Sequence, residues 1–558
     1  MEETFDLVVV GSGTGLMAAL TAAHSGLSVL VVEKSSRIGG STALSGGGFW
    51  IPGNPVLAKA GVRDSPARIR EYLRHVTDAQ VPHARWESHV SHGPAAVDLL
   101  RRRTPLRLVP MLDVPDYFPE LSGGSAAGRG VEPRPFDLHA LADERSRLVP
   151  PVFRPPFPMP VTEREARWLN LATRTPRGLM TGAKAAVLGL GGKALRREYA
   201  AGGQALVAGL YAGVLAADVP VWTDAPLLDL MTEDGRVAGA VVRIDGAEVK
   251  VRALRGVVLS SGGFDRNTEM RRAWQSPALD PAWSFGDPDD TGEVIQIAQA
   301  TAGADLAFMD ESWWFPAVPL PSGPAGLITE RSLPGQLMVN ARGRRFMNEA
   351  VNHMTAGQIM LARHHEGDPH IPAWMVFDQR FRNRYQFAMT ALPHRPLPQA
   401  WYDAGVAHRA GSIVELAARI GLPDLPETVE RFNLLAGSGH DDDFHRGESA
   451  FDRYYGDVTV HPNPCLGPVD QAPFYAVQVV PGDLGTCGGV RADGFARALR
   501  PDGSVIEGLY VIGNAAGNVF GRVHPGPGAT VGQGLSYGYV AARHAAGRLA
   551  EVGVSPAA

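Results

Sequence analysis

A glycine-rich turn between two short apolar segments, close to the start of the chain, constrains the fold most. Phe5–Val10 is a β-branched run of the kind found in buried parallel strands, and the turn Gly11–Gly15 follows it directly. Leu16–Ser25 has a helical composition, and a second apolar run follows at Ser28–Val32. This order predicts a strand–helix–strand unit, which starts a parallel sheet.

The spacing inside this unit indicates a dinucleotide site. Gly11 allows a tight turn, and Gly13 allows the backbone to approach a pyrophosphate next to the free N–H groups of a helix N-terminus. Glu33 follows Gly13 by 20 residues, where a carboxylate can accept hydrogen bonds from a ribose. The third glycine of the usual pattern is displaced, because Gly15 stands one place early and Leu16 occupies its position.

Length and charge set the broad class. A chain of 558 residues exceeds one ordinary core, so two domains or one domain with a large insertion are expected. The formal charge of −5 gives no basic footprint, and we expect no nucleic-acid partner. His440–His445 has no companion ligand spacing, so a solvated acidic loop is expected there and no metal site.

Cysteine content and hydropathy predict a cytoplasmic protein. Cys465 and Cys487 are too few for a disulfide framework, which favours a reducing compartment. Residues 2–6 are acidic where a signal peptide would be basic. The most apolar later segment, Ala205–Ala217, is shorter than the ~20 residues of a membrane span, so we expect a buried helix and no integral span.

The stretch after Glu33 resembles a loop of the fumarate-reductase-type flavoproteins. Arg37–Gly48 is similar to the loop that wraps the ADP and flavin in that family, which implies FAD. Relatives that bind flavin covalently carry a histidine in this loop, whereas this chain has Ser41 and Thr42, so the FAD is expected to be non-covalent. The expected cofactor contacts are Gly11, Gly13, Gly15, Glu33, Lys34, Gly40, Ser41, Thr42, Ser45, Gly46, Gly47, Gly262, Gly263, Asn267, Gly513, Asn514, Gly528, Ala529 and Thr530.

Three later segments resemble the rest of the same FAD frame. Gly202–Leu206 opens a helix, Val257–Phe264 is a strand ending in a glycine doublet, and Gly508–Asn514 is a strand with a Gly-Asn turn before a long helix at Thr530–Leu549. The resemblance implies an α/β fold: a Rossmann-like FAD-binding domain of the glutathione-reductase type, interrupted by an α+β substrate cap. The expected divisions are 1–307 and 479–558 for the FAD domain and 308–478 for the cap.

Leu44–Pro55 indicates the branch of the family more specifically than the glycine turn does, since it resembles the 3-ketosteroid Δ1-dehydrogenases. Asp116–Glu120, Val339–Glu349, Pro481–Gly489 and Tyr537–Arg543 fit the same branch. The resemblance implies insertion of a C=C bond beside a ring ketone. A base removes the α-proton, hydrogen bonds polarise the carbonyl, and hydride leaves for flavin N5.

The positions that carry this chemistry depart from the family in two places. The steroid enzymes have a tyrosine base where this chain has His353, and a carbonyl-polarising tyrosine and glycine where it has His524 and Gly528; a further tyrosine matches Tyr117. One reading makes His353 the acid/base and His524 the hydrogen-bond donor, because imidazole titrates near neutrality. The other reading is that the sites are repurposed and one or both histidines only pack.

A fumarate-reductase activity is the weaker reading of the same frame. Soluble fumarate reductases place a proton-donating arginine at the position of His353, which supports a proton-transfer role there. Cations that clamp a dicarboxylate are missing, since Leu484, Gly485 and Pro525 occupy the corresponding positions.

The expected small-molecule partner is a hydrophobic cyclic ketone. Several aromatic residues are candidates for its pocket, and together they favour a flat hydrophobic ligand. Each one alone is more typical of a residue in the hydrophobic core. A flavin ene-reductase running in reverse, and an FAD-binding protein without this turnover, stay open. The sequence names no electron acceptor, for which a quinone-like molecule is one candidate. The aromatic candidates are Phe49, Trp50, Trp313, Trp314, Phe315, Trp374, Phe377, Tyr385 and Phe387.

Overall fold

A computed structural model describes residues 2–151 and 159–549 of the chain. Its strands are β1 (Glu2–Val10), β2 (Val29–Val32), β3 (Phe49–Trp50), β4 (Leu108–Pro110), β5 (Gly130–Pro133), β6 (Phe136–Asp137), β7 (Tyr199–Ala200), β8 (Val221–Trp222), β9 (Leu227–Glu233), β10 (Arg236–Ile244), β11 (Ala247–Leu259), β12 (Leu306–Ala307), β13 (Ser312–Leu320), β14 (Gly323–Gly326), β15 (Gln336–Val339), β16 (Ala373–Asp378), β17 (Ala407–Ala410), β18 (Phe474–Thr486), β19 (Gly489–Val490), β20 (Arg497–Leu499) and β21 (Val505–Val511).

The α-helices of the same described residues alternate with these strands in the first half and cluster in the cap. They are α1 (Gly15–Ala23), α2 (Gly40–Leu44), α3 (Pro55–Lys59), α4 (Pro66–Val76), α5 (His83–Arg103), α6 (Glu163–Asn170), α7 (Pro176–Ala194), α8 (Gly202–Leu215), α9 (Thr268–Trp274), α10 (Glu293–Ala302), α11 (His353–His365), α12 (Gln379–Arg384), α13 (Gln399–Asp403), α14 (Ile413–Ile420), α15 (Leu425–Ser438), α16 (Ala450–Tyr454) and α17 (Ala529–Ala545).

The first sheet has the strand order β20-β21-β11-β1-β2-β8, and β9 and β10 extend it beside β11. β1 runs parallel to β2 and β11, and β11 runs parallel to β21. Every residue of β2 is buried, as expected of a parallel strand covered on both faces. The predicted strand–helix–strand unit is confirmed, and α1 begins at Gly15, one residue before the predicted start.

Helices α1, α5, α8 and α17 form one buried cluster with side chains on one face of this sheet. The predicted buried helix is confirmed as α8, in which Ala205–Leu210 is fully enclosed. The long C-terminal helix is confirmed as α17, although it ends at Ala545 rather than at residue 549. No helix in the described residues is both long and apolar enough to cross a membrane.

The second sheet is antiparallel, with the order β14-β13-β18-β16-β15, and β17 also pairs with β18. A mixed α/β sheet followed by an antiparallel cap agrees with the expected fold class. The strand pair β12–β19 lies where the chain leaves the first sheet at Leu306–Ala307 and where it returns at Gly489–Val490.

The long strand β18 spans the expected return point of the chain. It pairs with the cap strand β16 at Ala373↔Val479 and with β13 as far as Ser312↔Thr486. The expected boundary between residues 478 and 479 therefore lies inside this strand. The division into domains stays a prediction, since the pairing shows only which strands share a sheet.

Candidate active site and cofactor cavity

A cavity of about 1100 Å³ lies at the carboxyl ends of β1, β2, β11 and β21 and continues under the cap. Parallel strands of an open α/β sheet place their binding sites at these ends. Val10, Glu33, His353 and His524 all line it. One cavity therefore joins the glycine-rich turn to the two histidines.

The turn after β1 has the geometry of a close backbone approach. Gly11 has φ +101°, a left-handed conformation, and a Cβ there would lie 2.5 Å from the Ser260 carbonyl oxygen. A Cβ on Gly13 would lie 2.8 Å from Thr42 Oγ1. Glycine at these two positions lets the turn pack closely against Ser260 and Thr42, and the N-terminus of α1 follows the turn.

Glu33 is fixed at the end of β2 by donors from the turn. Its Oε2 accepts from Ser12 N at 2.9 Å and from Ser12 Oγ at 2.6 Å, and its Oε1 accepts from Ser35 N. Burial raises the pKa of Glu33, and the Ser12 hydrogen bonds oppose that rise. An oriented carboxylate, an open glycine turn and a helix N-terminus around one elongated cavity fit an FAD nucleotide.

His353 is placed by the start of α11. Asn352 caps that helix through its side chain, which accepts from Thr355 N at 3.0 Å. The His353 Nδ1 lies 2.6 Å from the Trp314 carbonyl oxygen. Because a carbonyl only accepts, Nδ1 carries the proton, and the neutral ring leaves Nε2 as a free acceptor.

His524 lies in the turn before α17, beside His353. The two ring centroids are 5.1 Å apart, and the Tyr117 ring lies 4.6 Å from His524 and 5.5 Å from His353. Tyr117 N donates to the Pro525 carbonyl at 3.1 Å, which fixes the tyrosine loop to this turn. Gly528 then caps α17 with φ +85°, and a Cβ there would lie 2.5 Å from the Gly48 carbonyl oxygen.

The buried surroundings keep both imidazoles neutral. Burial lowers the pKa of His353 to about 4, against a smaller opposing effect of the Trp314 hydrogen bond. Burial, and then His353, lower the pKa of His524 well below its ordinary value. Burial likewise raises the pKa of Tyr117 far above its ordinary value. The site therefore holds neutral hydrogen-bonding groups at neutral pH.

Comparison with known proteins places this site in a family. The FAD binding domain family model matches residues 6–531. The 3-oxosteroid 1-dehydrogenase of Mycolicibacterium smegmatis is 44% identical, covering 97% of each chain. A crystal structure of 3-ketosteroid Δ1-dehydrogenase from Sterolibacterium denitrificans, in complex with 1,4-androstadiene-3,17-dione, matches with a TM-score of 0.92 at 36% identity, covering 98% of this chain and 100% of that one.

The chain belongs to the 3-oxosteroid 1-dehydrogenase family. It is an FAD-dependent oxidoreductase that acts on CH–CH groups. A further relative in the comparison, the 4-oxocyclohexanecarboxylate 2-dehydrogenase of Sinomonas cyclohexanicum, is 34% identical and covers 98% of this chain and 94% of that protein. Both relatives are named for dehydrogenation of a ring ketone.

In this dehydrogenase, most of the expected site residues do line one cavity. The expected residues on the cavity wall are Gly11, Gly13, Glu33, Lys34, Gly40, Ser41, Thr42, Ser45, Gly46, Gly47, Tyr117, Gly262, His353, Gly513, Asn514, His524, Gly528 and Thr530.

Four expected cofactor contacts lie behind the wall of the dehydrogenase cavity instead. A Cβ on Gly15 would lie 2.2 Å from Ser260 Oγ, and one on Gly263 would lie 2.1 Å from Thr486 Oγ1, so both glycines serve close packing. Asn267 caps α9 by accepting from Met270 N, and Ala529 is fully enclosed at the start of α17. Their roles as cofactor ligands stay predictions.

Several polar residues of the dehydrogenase cavity were not predicted from sequence. Ser260 Oγ donates to the carbonyls of Val10 and Gly11, and Asp290 Oδ2 accepts at 2.5 Å from the Oγ of Ser41, which was predicted. Lys34, which was predicted, is held by Glu293 at 2.5 Å. A single serine or aspartate after a strand carries no spacing pattern, and the one available signal for Ser260 was its place two residues before the Gly262–Gly263 doublet.

Glu163 is a further unpredicted residue on the cavity wall of the dehydrogenase. It accepts from Gly48 N at 3.2 Å. Burial, and the nearby Glu132, raise the pKa of Glu163 to about 7. Its position in a proline-rich stretch without a readable motif hid it from sequence reasoning.

The aromatic candidates for the pocket proved to be largely core residues. Phe315 lines the cavity, and its ring lies 5.1 Å from His353. Trp313 does not line the cavity, but its ring centroid lies 4.9 Å from that of His524. The others pack in buried clusters, and Phe285 and Tyr455 were missed as lining residues.

Proposed function

We propose that this enzyme inserts a C=C bond beside the carbonyl of an uncharged polycyclic ketone of the 3-oxosteroid class. The observation that carries the proposal is the pair of buried neutral imidazoles at the end of the cavity, one of them held in a defined tautomer by the Trp314 carbonyl.

His353 is the proposed base. Its Nδ1–H is held by the Trp314 carbonyl, so Nε2 presents a lone pair in the cavity. A pKa of about 4 keeps this lone pair unprotonated at neutral pH, and negative charge developing on the substrate oxygen stabilises the imidazolium as it forms. His353 therefore takes the proton from the carbon next to the carbonyl.

His524 and the Gly528 amide are the proposed donors to the ketone oxygen. A neutral imidazole carries one N–H, and Gly528 precedes the N-terminus of α17, whose positive end favours negative charge nearby. The Tyr117 ring contacts both imidazole rings. Bound FAD, proposed to be non-covalent because Ser41 and Thr42 stand in its loop, supplies the hydride acceptor at N5.

The cavity wall supports an apolar substrate without a carboxylate. Phe315 packs against His353 and, at 5.4 Å, against Phe285. Leu484 replaces a polar anchor, and Glu163 adds an acid to the same wall. A substrate such as 4-oxocyclohexanecarboxylate would bring its negative charge to this wall, whereas a steroid ketone would meet aromatic and aliphatic surface.

The protein is proposed to be cytoplasmic and to pass its electrons to a separate acceptor. Both cysteines are free and buried, in keeping with a cytoplasmic protein. The electron acceptor is proposed to be a quinone-like molecule, which can take both electrons of the reduced flavin.

The test is anaerobic mixing of the enzyme with saturated 3-ketosteroids while the flavin absorbance near ~450 nm is followed. We expect bleaching in the wild type, and a fall in its rate of ~10²-fold or more in His353→Ala and His524→Ala, with FAD retained in both. His445→Ala, which changes an exposed histidine, is the control. Full activity in both site variants would refute the proposed roles, and reoxidation of reduced enzyme by an enone without any bleaching would favour an ene-reductase.

A further inference from the structure

Gln358 lies on α11, five residues after His353, and does not line the cavity. Its side-chain amide nevertheless reaches two other segments of the chain. Nε2 donates to Glu311 Oε2 at 2.8 Å and to the Arg522 carbonyl oxygen at 2.9 Å. One NH₂ group therefore connects three segments that meet around the two histidines.

The first acceptor of Gln358 leads to His353. Glu311 is buried, and its other oxygen accepts from Ser312 N at 3.1 Å and from the Trp314 indole N–H. The carbonyl of that same tryptophan holds the Nδ1–H of His353. The amide of Gln358 thus holds the Glu311 carboxylate, which in turn holds Trp314. The carbonyl of Trp314 sets the tautomer of His353.

The second acceptor of Gln358 leads to His524. Arg522 is two residues before His524, and its guanidinium forks onto the two oxygens of Asp310 at 2.9 Å each. Asp310 directly precedes Glu311. The segment before β13 and the turn before His524 are therefore tied twice, once through the Arg522–Asp310 ion pair and once through Gln358.

We propose that Gln358 is a positioning residue that sets the separation and orientation of His353 and His524. This inference rests on the proposed function, because it assigns Gln358 an effect only through those two rings. Both bonds come from the amide nitrogen, so the donor group and not the length of the side chain is what matters. Since Gln358 does not line the cavity, its loss should change turnover and leave ketone binding as it is.

The test compares Gln358→Met, which keeps the volume and removes the donors, with Gln358→Glu, which keeps the length and replaces the NH₂ group by a carboxyl oxygen facing Glu311. We expect each variant to lower kcat per bound flavin roughly tenfold, because small displacements of reacting groups cost one to two decades of rate, with KM within about twofold of wild type. Gln399→Met, at a surface glutamine that bonds Asp403, should keep full kcat.

A double-mutant cycle separates positioning from loss of structure. In a background that carries both His353→Ala and His524→Ala, the effect of Gln358→Met on the remaining flavin reduction should shrink to about twofold, because neither ring is left to position. Unchanged kcat in both Gln358 variants, an undiminished tenfold loss in the background without the two histidines, or a loss accounted for by missing flavin would each overturn the inference. Full activity in His353→Ala and His524→Ala would instead refute the proposed function.

Discussion

At the scale of single residues, the site depends on the imidazoles of His353 and His524, which are so close that a positive charge on one disfavours protonation of the other. Their ring centroids are 5.1 Å apart in a buried pocket, where the charge on one would be poorly screened from the other. Burial lowers the pKa of both, so neither is cationic at neutral pH. A neutral pair can accept one proton and donate one hydrogen bond at the same time, which is what removal of an α-proton beside a polarised ketone requires.

The pH dependence of kcat/KM tests His353 as the base. Its pKa of about 4 predicts activity that is constant between about pH 6 and 8 and falls as pH drops through about 4, because protonation then blocks Nε2. In His353→Tyr, whose phenol has an ordinary pKa near ~10, activity should instead rise with pH toward the alkaline range. Stopped-flow flavin reduction across this range measures both profiles, and identical profiles for the two proteins would rule His353 out as the base.

At the scale of secondary-structure elements, the glycine turn shows how α1 is seated on the sheet. The displaced third glycine, Gly15, faces Ser260 at the end of β11, and a Cβ there would lie 2.2 Å from Ser260 Oγ and 3.0 Å from Val9 Cγ1. The early glycine therefore still serves helix–strand packing, although it does not contact the cavity. Its neighbour Leu16 is free to pack in the core.

Gly15→Ala should displace α1 and loosen the nucleotide end of the cavity, at a cost of about 1–3 kcal/mol of stability. We expect a lower ratio of bound FAD to protein and a lower melting temperature. Ser260→Ala removes the atom that the new methyl group meets, so the double variant should recover most of both losses. Flavin absorbance per protein and thermal melting measure this, and a double variant no better than Gly15→Ala would show that Ser260 is not the obstacle.

The elements that sequence could predict are those whose own residues carry a period or a turn. A few neighbouring residues are enough to predict the apolar strands β1 and β2, the glycine turn and the apolar helix α8. The glycine doublet Gly262–Gly263 correctly indicated a turn, but it does not show which side of the turn meets a ligand. Gly263 and Asn267 were therefore expected at the cofactor, although neither lines the cavity. Glu163 belongs to no local sequence pattern. It reaches the cavity wall only because the start of α6 lies against the loop Arg37–Gly48, where it accepts from Gly48 N.

At the scale of the whole molecule, two sheets with separate cores enclose one cavity. The buried residues of the parallel sheet and those of the cap sheet form different clusters, and the chain crosses between the sheets beside the β12–β19 pair. The cap sheet joins strands far apart in sequence, as in the pairing of β13 with β18. Non-local pairing of this kind leaves no signal in a single segment, which is why sequence placed the return of the chain inside β18.

Glu349 is a buried anchor of the cap alone. Its carboxylate accepts from Arg345 at 2.8 and 2.9 Å, from Arg446 at 3.1 Å and from Met338 N at 3.2 Å. Burial by itself would raise the pKa of Glu349, but Arg345 and then Arg446 outweigh it, and the pKa is lowered. The ionised carboxylate therefore stabilises the cap above its ordinary pKa, and that stability is lost as pH falls through the lowered value.

Glu349→Gln leaves Arg345 and Arg446 buried with one counter-charge fewer, which should cost the cap about 3–5 kcal/mol. We expect the cap to unfold at a lower denaturant concentration, followed by hydrogen exchange of the amides of β15, β16 and β18, while release of FAD, followed by flavin fluorescence, shifts much less. Glu233→Gln, which breaks the exposed pair with Arg252 on the first sheet, should change either transition by no more than ~1 kcal/mol. If both transitions of Glu349→Gln move together by the same amount, the two sheets unfold as one cooperative unit, and the cap does not fold as a domain of its own.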